Sequence, residues 1–252
     1  MSMGRLHGTK LVNEETYGHI AALEDPVPLH NVSAIAIIQS CKIQLPNVKN
    51  IASFGSAFDQ HLPEYIKTYT IDQKIAKEKG LLKYGFHGNS SSYITRAVAK
   101  HLQKKSSELN MIALHLGSGA SACTIRNGQS IDTSMGLTPL SGLPGGPSSG
   151  GVDRSLIYHY TSSASKMSPL STKDLHVSEA EKILNKQSGW KALAGTTDFS
   201  KIAVPNAPKS HKLAFDIFID RVVGLVAAYF IKLEGKVDAL VFSGDIGKKA
   251  LC

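Results

Sequence analysis

Cysteine is scarce in this 252-residue chain, which has only Cys41, Cys123 and Cys252. No pair has the spacing of zinc ligands, and so sparse and odd a count excludes a disulfide framework. It suits a reducing compartment, with the thiols expected as small buried hydrophobes. Long apolar runs are also missing. The longest, residues 222–231, is too short to span a bilayer and reads as part of a buried helix. Residues 1–10 lack the apolar stretch of a signal peptide, so a cytoplasmic protein without a membrane partner is expected. Acidic residues are outnumbered, 20 against 28 Lys and Arg, for a formal charge of +8. Such a balance attracts phosphorylated small molecules, nucleic acid or acidic membranes. The charge is dispersed, however. Its densest stretches, 74–83 and 100–105, are interrupted by acids or apolar residues. A solvated surface is expected rather than a nucleic-acid face. Internal repeats and low-complexity segments are absent too. What remains is 42% apolar, the composition of a globular chain with a real core.

Periodicity divides the chain into short elements. A helical pattern starts at Asn13 with Ile20 and Leu23 inward, and Pro26 and Pro28 break it. Residues 33–43 are apolar at helical spacing, and 51–54 read as a short buried strand ending at Gly55. A charged helix is expected over 71–79. An amphipathic one over 91–104 would turn Ile94, Ala97, Val98 and Leu102 to one side. The middle reads as strand 111–116, a small-residue turn, strand 122–126, the hairpin signal Asn127-Gly128, and strand 129–133. A loop rich in Gly, Pro and Ser fills 134–151. Helices follow at 178–186 and 211–232, the second with Phe215, Phe218, Val222 and Val226 inward. A buried strand at 237–242 then enters the turn Ser243-Gly244-Asp245-Ile246-Gly247.

Three segments carry chemistry. In Gly117-Ser118-Gly119-Ala120-Ser121 small residues let backbone N–H groups approach an anion. The spacing is not that of a Walker A loop, and a plain hairpin is the bland alternative. His115 precedes this turn; a histidine on an apolar strand is more often a satisfied core residue. In Tyr84-Gly85-Phe86-His87-Gly88-Asn89-Ser90 a histidine between glycines precedes a helix N-terminus, where anions are favoured and serine also caps. In Asp132-Thr133-Ser134-Met135-Gly136-Leu137-Thr138-Pro139-Leu140, polar residues beside a rigid proline line a small cavity or simply structure a loop.

In this order these segments resemble the acetate kinase family, above all its fungal members. Leu6-His7-Gly8, Pro28-Leu29-His30-Asn31, Phe54-Gly55-Ser56-Ala57-Phe58-Asp59 and Ser243-Gly244-Asp245-Ile246-Gly247-Lys248 fall where that family has related motifs. The resemblance covers essentially the whole chain. It implies an α/β, actin-like (ribonuclease-H-like) kinase fold with two mixed-sheet domains. Residues 1–60 would be a fragment of the N-terminal domain, and 61–252 the nucleotide-binding domain, both short of the family's pattern at their outer ends. It implies transfer of a phosphoryl group from ATP, with Mg2+, to acetate; the motifs leave pyrophosphate open as the alternative donor. Family members are mostly homodimers.

Carried over by position, His115 is similar to the family's phosphate-contacting histidine, and His87 to the one that stabilises the moving phosphoryl group. Gly117, Ser118 and Gly119 resemble its phosphate hairpin. Asp198, Phe199, Gly244, Ile246 and Gly247 resemble its adenosine loops. Leu6, Leu29, Phe86 and Pro139 resemble the pocket for the acetate methyl, where shape must exclude larger acids. The departures fall on charged groups. Gly4 and Ser148 stand where the family has arginines, Gly55 where it has an aspartate, and Asp245 where it has a glycine. Loss of one such arginine costs on the order of 10³–10⁵ in rate, and without the carboxylates a Mg2+ ligand set is missing. Two readings follow: a kinase of impaired or no activity, or a non-enzymatic relative that at most binds ligand.

Overall fold

A computed structural model describes residues 9–21, 28–160, 167 and 178–249, with the backbone alone for 19, 21, 28–33, 160 and 249. The elements run β1 (Lys10–Leu11), α1 (Glu14–Ala21), α2 (Pro28–Gln44), β2 (Ile51–Ala52), α3 (Glu64–Lys67), α4 (Gln73–Lys79), α5 (Gly88–His101) and β3 (Met111–Leu116). They continue with β4 (Ala120–Arg126), β5 (Gln129–Thr133), α6 (Leu156–Tyr160), α7 (Glu179–Lys186), α8 (Gly189–Ala194), α9 (Phe199–Ile202), α10 (Lys209–Lys232), β6 (Ala239–Ser243) and α11 (Gly244–Lys249).

The central sheet has the order β5-β4-β3-β6. β3, β4 and β5 form an antiparallel meander, and β6 lies parallel to β3. The sheet is therefore mixed. β3 and β4 are buried almost throughout because neither face meets water; this is why both read as near-continuous apolar runs. One face packs on α10 through Phe218, Val222 and Tyr229, joined by Trp190 of α8 and Ile202 of α9. Rings of Trp190, Phe199 and Phe218 meet at centroid distances of 5.1–5.4 Å, mostly edge-on, a favoured aromatic geometry. The other face packs on α5 through Ile94, Ala99, Met111, Cys123 and Ile125. β1 and β2 form a separate two-stranded antiparallel ladder. Among the described residues no helix is long and apolar enough to cross a membrane.

Several local expectations are corrected. Pro28 opens α2 instead of ending a helix, since its missing N–H is unneeded in a first turn. Ile51 is 64% exposed rather than buried, because β2 pairs with β1 alone. On α5, Ala97 faces water and Leu102 lies at its exposed C-terminal end; the packed face runs through Ile94, Thr95, Val98 and Ala99. Residues 244–247 do not form a turn but the start of α11. β6 buries one side only, leaving Leu240 and Phe242 exposed at 43% and 37%. Cys41 is half-buried, and Cys123 is fully so. Leu23, Pro26 and Cys252 lie outside the described residues.

Candidate active site

The site is built on the β3–β4 hairpin. His115 pairs with Ser121, and Leu116 with Ala120, so residues 117–119 make the tip. The Gly117 N–H donates to Gly119 O at 3.2 Å, closing a tight turn. Ser118 and Gly119 are exposed. Their backbone N–H groups meet no acceptor among the described residues, which leaves them directed at solvent or an anion.

Two glycine-dependent contacts bring neighbouring segments to this tip. The Gly146 N–H donates to Ser118 O at 2.9 Å, and a Cβ on Gly145 would stand 2.6 Å from the same oxygen. The long loop can approach only with no side chain there. On the other side, Gly244 has φ +80 and its added Cβ would meet Leu116 O at 2.4 Å. Only glycine joins β6 to α11 in that space.

The first turn of α5 completes the constellation. His87 takes its N-cap position, with Gly88 packed so closely on the chain that a Cβ would stand 2.4 Å from Gly55 O. The His87 ring lies on that of His115, centroids 4.1 Å apart and planes tilted by 34°. His87 Nδ1 is 2.7 Å from Ser121 Oγ, and His115 Nδ1 is 2.8 Å from Ser90 Oγ. The rings stand beside the hairpin tip. Cβ positions on Gly119 and Gly117 would be 4.0 Å from His87 Cε1 and His115 Nε2. Burial, and secondarily the neighbouring His115, brings the His87 pKa from 6.5 to about 4. Burial also lowers that of His115, opposed by the Asp245 carboxylate. Near neutral pH the pair is two neutral imidazoles, suited to donate hydrogen bonds rather than fixed charge.

The structure thus joins His87, His115, Gly117, Ser118, Gly119 and Gly244. Others named from sequence sit apart or serve differently. Ile246 is half-buried against the main core, and Gly247 is buried against Phe242. Asp198 caps α9 through the Ser200 N–H at 3.0 Å, while the Phe199 ring is held in the cluster of Trp190, Phe215 and Phe218. Both connect to the hairpin tip indirectly, through Thr197 packed on Gly146. Phe86 and Pro139 are half-buried on separate loops, linked where the Tyr84 N–H donates to Gly136 O at 3.0 Å. Leu6 and Gly4 lie outside the described residues, and of Leu29 the structure gives only its place in α2.

Two departures have a structural reading. A Cβ on Gly55 would lie 2.2 Å from Phe86 O, so this backbone has no room there for a carboxylate. Ser148 is half-buried in the loop, its carbonyl accepting from the Gly145 N–H at 3.0 Å.

Sequence reasoning missed the acids behind the site. Asp132 serves the interior of the fold. It is buried and bridges Lys83 at 2.6 Å and Lys232. Thr133 and Ser134 sew β5 to β4 through the backbone of Ala122. Asp59 is 3% exposed, accepts from Ser130 Oγ at 2.5 Å and sits against Cys123. Reading 122–126 and 129–133 as strands placed β4 and β5 but not the acids packed on them. Among the described residues, no group of three or more His, Cys, Asp or Glu converges as a metal site would require.

Comparison with known proteins agrees with this architecture. Residues 4–252 match the model of the Acetokinase family. The chain is 55% identical over 248 residues to a probable acetate kinase of Emericella nidulans, covering 98% of this chain and 59% of that one. It is 52% identical over 256 residues to a probable acetate kinase of Neurospora crassa, covering 96% and 55%. A solved propionate kinase from Francisella tularensis superposes with a TM-score of 0.89 at 35% identity, over 99% of this chain and 62% of that one. A solved acetate kinase from Entamoeba histolytica gives 0.81 at 27%, over 97% and 63%. The chain spans about three fifths of the length of these relatives.

Proposed function

Since this chain belongs to the acetokinase family, we propose that its stacked histidines and hairpin tip are the anion-binding centre of a phosphotransferase that uses ATP and a short carboxylic acid, acetate first. The observation that carries the reading is the placement of two neutral imidazoles beside an exposed small-residue turn. Such a turn fits a phosphate: it offers backbone N–H groups and has no side chains in the way. The imidazoles would orient the moving phosphoryl group by hydrogen bonds, and the carboxylic acid would sit towards Phe86 and Pro139. Residues 61–252 would form the nucleotide-binding domain and 1–60 part of another; the separate β1–β2 ladder supports that division.

Turnover is expected to be low. Phosphoryl transfer relies on positioning and charge neutralisation, and the two imidazoles are uncharged near neutral pH. Position 148 supplies a serine hydroxyl where the family pattern has a guanidinium. Mg2+, which the family reading implies, would be held mainly by the nucleotide phosphates and water, since position 55 leaves no room in this backbone for a carboxylate to meet it.

The test is a coupled assay for acetyl phosphate on the purified chain, beside calorimetric titration with ATP and acetyl phosphate. Binding with turnover at least 10³-fold below the roughly 1–100 s⁻¹ of ordinary kinases is expected. Ordinary turnover would overturn the impairment. A folded chain that binds neither ligand would overturn the site.

A further inference from the structure

The two histidines are held crosswise. His87 begins α5 and meets Ser121 of β4, while His115 of β3 meets Ser90 in the first turn of α5. Both contacts use Nδ1, which leaves both Nε2 atoms for whatever lies at the hairpin tip. A serine hydroxyl has one proton to give and lone pairs to receive with. Ser121 is 3% exposed, and among the described residues its Oγ has no polar partner but His87 Nδ1. Were the ring proton on Nδ1, the Ser121 hydroxyl proton would be buried with no acceptor, a penalty of roughly 1–3 kcal/mol. Donation from Ser121 Oγ to Nδ1 satisfies both groups and places the ring proton on Nε2. Ser90 repeats the geometry on the other ring, and no other side-chain partner of its hydroxyl is found among the described residues.

We propose that Ser121 and Ser90 are positioning residues that fix His87 and His115 as Nε2–H tautomers, so that the pair offers two N–H donors, and no lone pair, to an anion at the tip. The anion rests on the phosphotransferase reading above; the tautomers do not. The arrangement has a chemical logic. An Nε2 lone pair would repel a phosphoryl oxygen, whereas an N–H attracts it without any proton changing hands. It also accounts for the crossing. Each serine comes from the unit, α5 or the β3–β4 hairpin, that carries the other histidine, so rotation of either ring breaks a bond between α5 and the hairpin.

The test is long-range proton–nitrogen NMR of the chain labelled with 15N in its histidine rings, near neutral pH, with and without inorganic phosphate. Resonances are assigned with His87→Gln and His115→Gln. The expected result is a single Nε2–H tautomer for each ring. Ser121→Ala should mix the tautomers of His87 alone, Ser90→Ala those of His115 alone, and Ser90→Thr should restore the second. Each alanine variant should weaken phosphate binding about tenfold. An Nδ1–H tautomer of His87 in the unsubstituted chain overturns the proposal. So do alanine variants that lose thermal stability while their tautomers stay unchanged. If Ser121→Ala fails to fold, the spectrum of the unsubstituted chain still decides. Failure of the phosphotransferase reading looks different: the tautomers are as stated, but phosphate moves neither ring.

Discussion

Burial pushes the Asp59 carboxyl from 3.8 to about 6, with Ser130 and Lys83 opposing. The folded chain therefore binds this proton more tightly than the unfolded one. Stability from this group is complete below about pH 4 and is lost as pH rises through 6. Two pKa steps correspond to at most about 3 kcal/mol. Asp59→Asn keeps an oxygen to accept from Ser130 and has no charge to bury. It should be more stable than the parent at neutral pH, and the gap should close towards pH 4; urea denaturation across that range measures it. His87 works in the opposite sense. Its lowered pKa means that stability is lost as pH falls from about 6.5 through 4, and the Asp59→Asn comparison cancels that common contribution. Asp245 is a second residue to test. It is exposed, and its charge opposes the lowering of the His115 pKa. It would also repel an anion at the tip. Asp245→Asn should tighten phosphate or ATP binding about threefold at low salt, with the effect fading as salt screens it. Equal affinity at low salt would place the carboxylate away from the anion.

Single elements depend on contacts that periodicity does not reveal. The Asp132 motif was legible as a conspicuous loop, yet its acid works inside the fold, tying Lys83 and Lys232 of α10 to the end of β5. Removing the charge leaves two lysine ammonium groups facing each other. Asp132→Asn should cost about 3 kcal/mol, seen as a drop in the denaturant midpoint, while conversion to a well-packed apolar trio would cost less. The β6–α11 junction is the second case. A strand followed by Ser243-Gly244-Asp245-Ile246-Gly247 suggests a turn, because glycines punctuate loops. The structure instead has Gly244 at φ +80 pressed on Leu116 O, with a helix starting at once. Gly244→Ala combines strain with a backbone clash and should cost roughly 1–3 kcal/mol. It should also disturb His115, which pairs across the ladder with Ser243, the residue just before that glycine. A cooperative melt unchanged from the parent would remove that junction from the account.

At the scale of the whole molecule, the fold was legible where local chemistry is strong. Strands β3, β4 and β5, the Asn127-Gly128 hairpin and α10 all lie close to where apolar runs and turn residues put them. The family likeness supports the α/β actin-like kinase fold expected from the motifs, with a mixed sheet. The motifs singled out His87 and His115 separately; that they stack depends on how α5 packs on the sheet. What a sequence pattern does not report is an uncovered apolar surface, because period and composition look the same whether or not a partner is present. β6 forms one end of the sheet with Leu240 and Phe242 exposed, and α10 leaves Val223, Phe230 and Ile231 exposed at 59%, 47% and 73%. An unpaired strand edge and exposed apolar side chains promote association. The chain alone should therefore scatter light increasingly with concentration. Leu240→Lys places a charge on the edge strand, and Ile231→Lys one on the helix; neither side chain contributes to the core. The double variant should stay clear at concentrations where the parent scatters, with a melting temperature within a few degrees of it. Equal scattering from both would mean that these two surfaces are not where copies meet.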